Sequence, residues 1–157
     1  MPKIDFDATP VLTGTGYPPP FDAIVKGRSR QRIGDAGGLT QYGVNLLTLA
    51  PGAASAHRHW HAQEDEFVYV LEGEVALVED EGECILKKGE AAAFPAGAAN
   101  GHHLINRTDS PAFLLEVGTR AASEDVQYTD PDVDMRAVKT ETGWRFLHKD
   151  GTPWGAS

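Results

Sequence analysis

The sequence predicts an all-β domain, a sandwich or a barrel, on three observations. Gly 17 and Pro 10 together make 27 of the 157 residues, and they recur between short β-rich runs instead of gathering in one linker. No amphipathic helix longer than a turn or two can be drawn. No tandem repeat or low-complexity tract is present. Taken in order, the chain opens with an arm in which Thr13-Gly-Thr-Gly-Tyr-Pro-Pro-Pro forbids regular structure, because three consecutive prolines remove backbone donors and hold the chain extended. Strands are predicted over 43–49, 66–71, 75–79, 84–86, 91–94, 102–107 and 112–117, each bounded by turn residues. Segment 125–134 is acidic and reads as a loop, and 143–146 adds a last strand before the turn signal Asp150-Gly151. The expected organisation is an arm over 1–40 that packs on the barrel or on a partner subunit, a core over 41–120, and a C-terminal segment over 121–157 on the same domain.

Length and charge bound the function. A chain of 157 residues is about one domain and long enough to bury a real core. Its net charge of −9 and pI near 5.0 repel nucleic acid and anionic membrane surfaces, so neither is an expected partner. The longest apolar run is five residues, 67–71, and the N-terminus lacks the layout of a signal peptide. The single cysteine, Cys84, excludes an internal disulfide or a cysteine-rich zinc site and suits a reducing compartment. A cytoplasmic protein is expected.

The chemistry concentrates in histidines. Five of the six fall in two groups, His57/His59/His61 and His102/His103, and the first is followed by Glu64-Asp65-Glu66. Imidazoles with a carboxylate are a metal-site palette. On a strand, His57, His59 and His61 share one face while Arg58 and Trp60 take the other. A tight turn over 62–65 would bring Glu66 beside them, and His102, Leu104 and Asn106 share a face of a later strand. Periodicity alone does not choose between Glu64 and Glu66.

With these residues in view, the sequence resembles the cupin superfamily. The first motif stands as Pro51-Gly52, His59-Trp60-His61, Glu66 and Gly73, and the second as Gly89, Pro95-Ala96-Gly97, His102 and Asn106. Two spacings differ from the family pattern. Gly52 precedes His59 by seven positions instead of six. Four residues separate Gly97 from His102 instead of two, which places Asn100 where the histidine is expected. His102 keeps the His-x-x-x-Asn spacing into its strand, whereas His103 would face the other side. The resemblance implies a jelly-roll β-barrel whose metal ligands are His59, His61, Glu66 and His102, and it selects Glu66 over Glu64. The core of the likeness covers roughly 44–118. Beyond it, Arg58-His-Trp-His, Gly101-His-His-Leu-Ile-Asn-Arg and His148-Lys-Asp-Gly-Thr-Pro resemble bacterial single-domain cupins of the conserved-barrel type, which have no settled reaction; some carry provisional sugar-phosphate isomerase labels.

Three neutral imidazoles and one carboxylate suit one divalent transition metal ion, Mn, Fe, Ni, Zn or Cu, and leave one or two positions for water or substrate. The expected function is a metal-dependent enzyme on a small oxygenated molecule, with the ion as Lewis acid: a sugar-type isomerase or epimerase, or a dioxygenase. The alternative is a non-catalytic sensor or binding module. An isomerase needs an acid/base near the ion, and His57 and Glu64 are the candidates, although for His57 a plain hydrogen-bonded place at the pocket edge is the favoured reading. A homodimer is expected through sheet contacts and the arm.

Other features carry plainer readings. Lys26, Arg28, Arg30 and Arg32 alternate as a basic stripe, read as a solvated edge strand in preference to a phosphate or carboxylate site. Asp130, Asp132, Asp134 and Glu141 mimic a calcium loop, but Met135 stands where glycine is needed. Cys84 is expected in the core, His103 and His148 in surface or packing positions, and Trp60, Phe67 and Tyr69 on the outer face or in a dimer contact.

Overall fold

The computed structural model describes residues 3–155. Among the described residues, thirteen strands and two short helical turns follow in chain order: β1 (Val11–Thr13), a 3-10 turn (Ala23–Val25), β2 (Arg28–Gln31), α1 (Ile33–Ala36), β3 (Tyr42–Leu49), β4 (His59–His61), β5 (Glu66–Glu72), β6 (Glu74–Glu79), β7 (Gly82–Lys87), β8 (Ala91–Phe94), β9 (His103–Ile105), β10 (Ala112–Thr119), β11 (Glu124–Tyr128), β12 (Arg136–Thr140) and β13 (Gly143–Leu147). A six-stranded sheet runs β1-β2-β3-β10-β5-β8. Facing it are a four-stranded sheet, β13-β12-β11-β4, and a three-stranded one, β7-β6-β9. The two smaller sheets meet where His59 bridges His102, and together with the large sheet they make a jelly-roll β-barrel.

Strand alternation writes a gradient along the inner face of the large sheet. Leu49 stands opposite Ala112, and Leu47 opposite Leu114, which is itself opposite Val70. These fill the closed end of the barrel, each almost wholly buried, with Val75 and Leu104 packed from the other wall. One step along, Asn45 faces Glu116 and Glu116 faces Val68; one further, Gly43 faces Gly118 and Gly118 faces Glu66. The barrel is therefore dry at one end and polar at the other, and the glycines leave the polar end open. Gly73 makes the hairpin between β5 and β6 with φ +82°, where a Cβ would lie 3.2 Å from the backbone of Ala112.

Several expectations change. Segment 125–134 is not all loop: Glu124–Tyr128 is a strand whose inward residues Glu124, Val126 and Tyr128 are buried, while polar Asp125 and Gln127 face out and mask the pattern. It pairs with β12, a strand the sequence did not suggest. A second core of Val126, Tyr128, Val133, Met135 and Ala137 lies under this sheet, and Tyr17 and Phe21 of the arm pack against it. The arm also contributes β1 and β2 to the large sheet of its own chain. Because β1 covers β2, the basic stripe is not an edge: Arg28 and Arg30 pair with Leu49 and Leu47 and point inward. Cys84 is exposed, because β7 is the edge of its sheet and its hairpin end runs past the core. Phe67 and Tyr69 lie on the outer face, 40% and 37% exposed. Asp130 is tied to Arg58 (2.7 Å), and Asp134 to His148 (2.7 Å). The acidic run is thus held by Arg58 and His148 of the fold.

Candidate metal centre

β4 is only three residues long, and three contacts place it. It pairs with β11 through His61↔Val126 and His59↔Tyr128. It is also bridged to the start of β9, with His59 N–H donating to His102 O (3.1 Å) and His102 N–H to His59 O (2.9 Å). This sets the rings of His59, His61 and His102 side by side, with centroids 5.1 Å (59–61) and 5.2 Å (59–102) apart. The turn over 62–65 then delivers Glu66. The buried carboxylate of Glu124 pins that turn by accepting from Ala62 N–H (2.9 Å) and Gln63 N–H (3.2 Å), and Thr119 Oγ1 accepts from Asp65 N–H (2.8 Å).

The Glu66 Oε2 atom lies 3.1 Å from His102 Nε2, 3.5 Å from His61 Nε2 and 3.7 Å from His59 Nε2. His59 Nδ1 donates to the His57 carbonyl (2.8 Å), so its Nε2 carries the lone pair that faces the cluster. Burial lowers His59 to about 4, partly offset by Glu66, and the ring is neutral at pH 7. Burial pushes the Glu66 carboxyl up, but the His102 hydrogen bond and the His61 and His59 rings outweigh it and hold the group down at about 2. The His102 ring is stacked on Phe94 at 3.5 Å and 2°. Its Nδ1 and that of His61 are buried without hydrogen bonds. His59, His61 and Glu66 offer ligand atoms within 4.8 Å of one another, and His102 Nε2 lies beside the same Glu66 oxygen, a donor set that fits a divalent transition ion.

The cluster opens into a cavity of about 390 Å³. Glu64 lies on its wall, with Oε1 accepting from Ala121 N–H (2.9 Å) and lying 3.5 Å from Lys139 Nζ. His57, the other acid/base candidate, is turned away. β4 begins only at His59, so alternation does not reach it, and its Nε2 donates to Phe21 O (2.8 Å) among Tyr17, Phe21 and Tyr128. His57 serves the centre through its carbonyl. His103 points to the far side, with Nδ1 donating to Ala56 O (3.0 Å). Asn100, at the position the family pattern gives to histidine, is bonded to Glu79 and Asp80 at the β6–β7 turn instead.

Glu124 is the functional residue the sequence reading missed; the only trace was an acid two residues before Val126 in an alternating run. Its Oε2 sits 3.7 Å from His61 Nδ1, on the side away from Glu66. Replacing Glu124 with glutamine removes the charge behind His61 and sets an amide against backbone N–H groups. The metal dissociation constant is expected to rise by ~10–100-fold. Competition with a chelator measures it, and an unchanged constant would leave Glu124 a turn-pinning role alone.

Residues 45–118 match the family model described as "Cupin domain". No curated protein matches the chain. The chain is similar to a crystal structure described as a sugar phosphate isomerase from a cupin superfamily, from Silicibacter pomeroyi, with 49% identity, TM-score 0.93, and 99% of this chain and 98% of that one covered. A structure from Acidithiobacillus ferrooxidans, provisionally described as a sugar phosphate isomerase, is 27% identical with TM-score 0.72, covering 83% of this chain and 81% of that one. The polyketide cyclase RemF from Streptomyces resistomycificus shares the fold at 21% identity and TM-score 0.61, covering 76% of this chain and 79% of that one.

Proposed function

The chain belongs to the cupin superfamily, and we propose that it is a metal-dependent isomerase or epimerase of a small sugar-type substrate. The observation that carries this reading is the convergence of His59, His61, His102 and Glu66 in an open cavity that also holds the Glu64 carboxylate. A divalent ion held by those four residues supplies Lewis-acid polarisation of a substrate carbonyl or hydroxyl oxygen. Glu64 takes the proton from the carbon beside that oxygen; in an isomerisation it returns the proton to the neighbouring carbon while the hydroxyl proton passes to the former carbonyl oxygen, and in an epimerisation solvent supplies a proton to the opposite face while Glu64 releases its own. No oxidant is consumed in either case. The Lys139 contact and the Ala121 N–H fix the Glu64 carboxylate through Oε1. Val68, Phe94 and Leu104 form an apolar floor that excludes bulk water from the reacting carbons. The Silicibacter pomeroyi relative adds support, since its description is an isomerase of phosphorylated sugars.

The test is turnover of aldose and ketose phosphates in deuterated buffer by protein purified without a metal-chelating tag. Deuterium is expected at the carbon beside the carbonyl, and Glu64→Gln is expected to lower kcat by ~10²–10⁴ with the metal content unchanged. Oxygen uptake with Fe(II) would replace this reading by a dioxygenase, and tight binding without turnover by a sensor.

The same proposal extends to assembly. Phe67, Tyr69, Leu71 and Phe113, each more than a third exposed, lie on β5 and β10 in the outer face of the large sheet. A second copy of the chain would cover them in a homodimer. Light scattering is expected to give the dimer mass for the native chain and the monomer mass for the double variant Tyr69→Glu, Phe113→Glu; equal masses would end the idea.

A further inference from the structure

The cavity wall carries five cations, and their partners divide them. Arg30 is paired with Glu116 (3.0 Å), Arg120 with Asp35, and Lys139 with Glu64 (3.5 Å). Arg28 and Arg32 have no carboxylate partner among the described residues, although both line the cavity of a chain with net charge −9. Arg28 is half-buried, and main-chain oxygens orient it: Nη1 donates to Ser55 O and Nη2 to Gly14 O (3.2 Å). Gly14 itself has φ +83°, a conformation that favours glycine. The arm and the Ser55 carbonyl therefore hold the guanidinium in place without neutralising it. Burial lowers the Arg28 pKa, and the like charge of Arg30 beside it adds to that. An anion at this point relieves both penalties.

We propose that Arg28 forms an anion subsite in the metal-centre cavity that grips a phosphate or carboxylate group of the substrate, with Arg32, four residues along the same wall, adding positive charge to it. The inference rests on reading this cavity as the substrate site, and it names the charged end of the substrate. A guanidinium fork suits either oxyanion, because two N–H groups meet two oxygens at once. The second arginine, exposed at the end of the strand that carries the first, adds charge without a built hydrogen-bond network. A sugar bearing such a group would be held at one end by the arginines, with its reacting carbons toward Glu64 and Glu66.

The test separates this subsite from the metal and from turnover. Inorganic phosphate is titrated calorimetrically into the metal-stripped full-length chain, with acetate in a parallel arm to distinguish phosphate from carboxylate. Phosphate or acetate binding is expected, weakened roughly 10-fold or more by Arg28→Gln and by Arg32→Gln. The Arg32 side chain makes no hydrogen bond among the described residues, so Arg32→Gln keeps the test valid if Arg28→Gln misfolds. Neither anion binding to the stripped protein, or binding that both variants leave unchanged, overturns the subsite. Arginine-dependent binding in a protein that turns over no sugar phosphate would sustain the subsite and remove the isomerase reading instead.

Discussion

Alanine in place of His102 is expected to empty the metal centre while alanine in place of His103 leaves it filled. The native protein should carry about one transition-metal ion per chain, since His59, His61 and Glu66 offer ligand atoms within 4.8 Å of one another and His102 Nε2 lies beside the same carboxylate. His102 is the nearest of the three rings to Glu66, at 3.1 Å, and Phe94 holds it flat. Its removal takes a ligand and also leaves Glu66 with one fewer neighbour. Losing a partner behind a ligand costs ~10–100-fold in affinity, and losing a ligand itself is expected to exceed that range. His103 is one residue along the strand and faces the other way, toward the Ala56 carbonyl, so its loss should cost stability and spare the ion. Elemental analysis of both variants, with circular dichroism to confirm the β fold, decides the matter. An empty site in His103→Ala with a full one in His102→Ala would overturn the assignment.

The largest stability effect away from the centre is expected at Asn106. Its side chain is fully buried and fully bonded. Nδ2 donates to Leu49 O (2.8 Å) and Ser110 O (2.8 Å), and Oδ1 accepts from Thr108 N–H (3.0 Å) and Thr108 Oγ1 (2.8 Å). Alanine would strand the Leu49 carbonyl and release the 106–110 turn that leads into β10, the strand at the middle of the large sheet. A buried polar group left unpaired costs about 1–3 kcal/mol, and the lost network and cavity add to it, so a loss of ~3–5 kcal/mol is expected. Urea unfolding at fixed pH measures it. A loss below about 1 kcal/mol would mean that the turn repairs itself.

Much of this protein was legible without coordinates. The all-β class and most of the strands 43–117 follow from alternation and turn residues, which are local signals. His59, His61, Glu66 and His102 were named together as what the resemblance to the cupin motifs implies, with the faces of the two histidine strands inferred from period two. The dependence on local continuity also explains the failures. His57 fits the same alternation on paper, but β4 starts after it, because pairing with β11 and the His102 bridge reaches only 59–61. β11 itself was hidden because its outward Asp125 and Gln127 read as loop, while burial of Glu124 is set by the turn and imidazole it serves. The basic stripe shows the same limit most plainly. Its alternation was visible, but which face turned inward was not. An edge strand and a cavity wall have the same sequence pattern, and only β1, lying over β2, and the facing Glu116 decide between them. Within a continuous strand, sequence alone determined which residues share a face, since that is a property of neighbouring peptide units. Tertiary structure decided what each face meets, since that depends on chain segments tens of residues away.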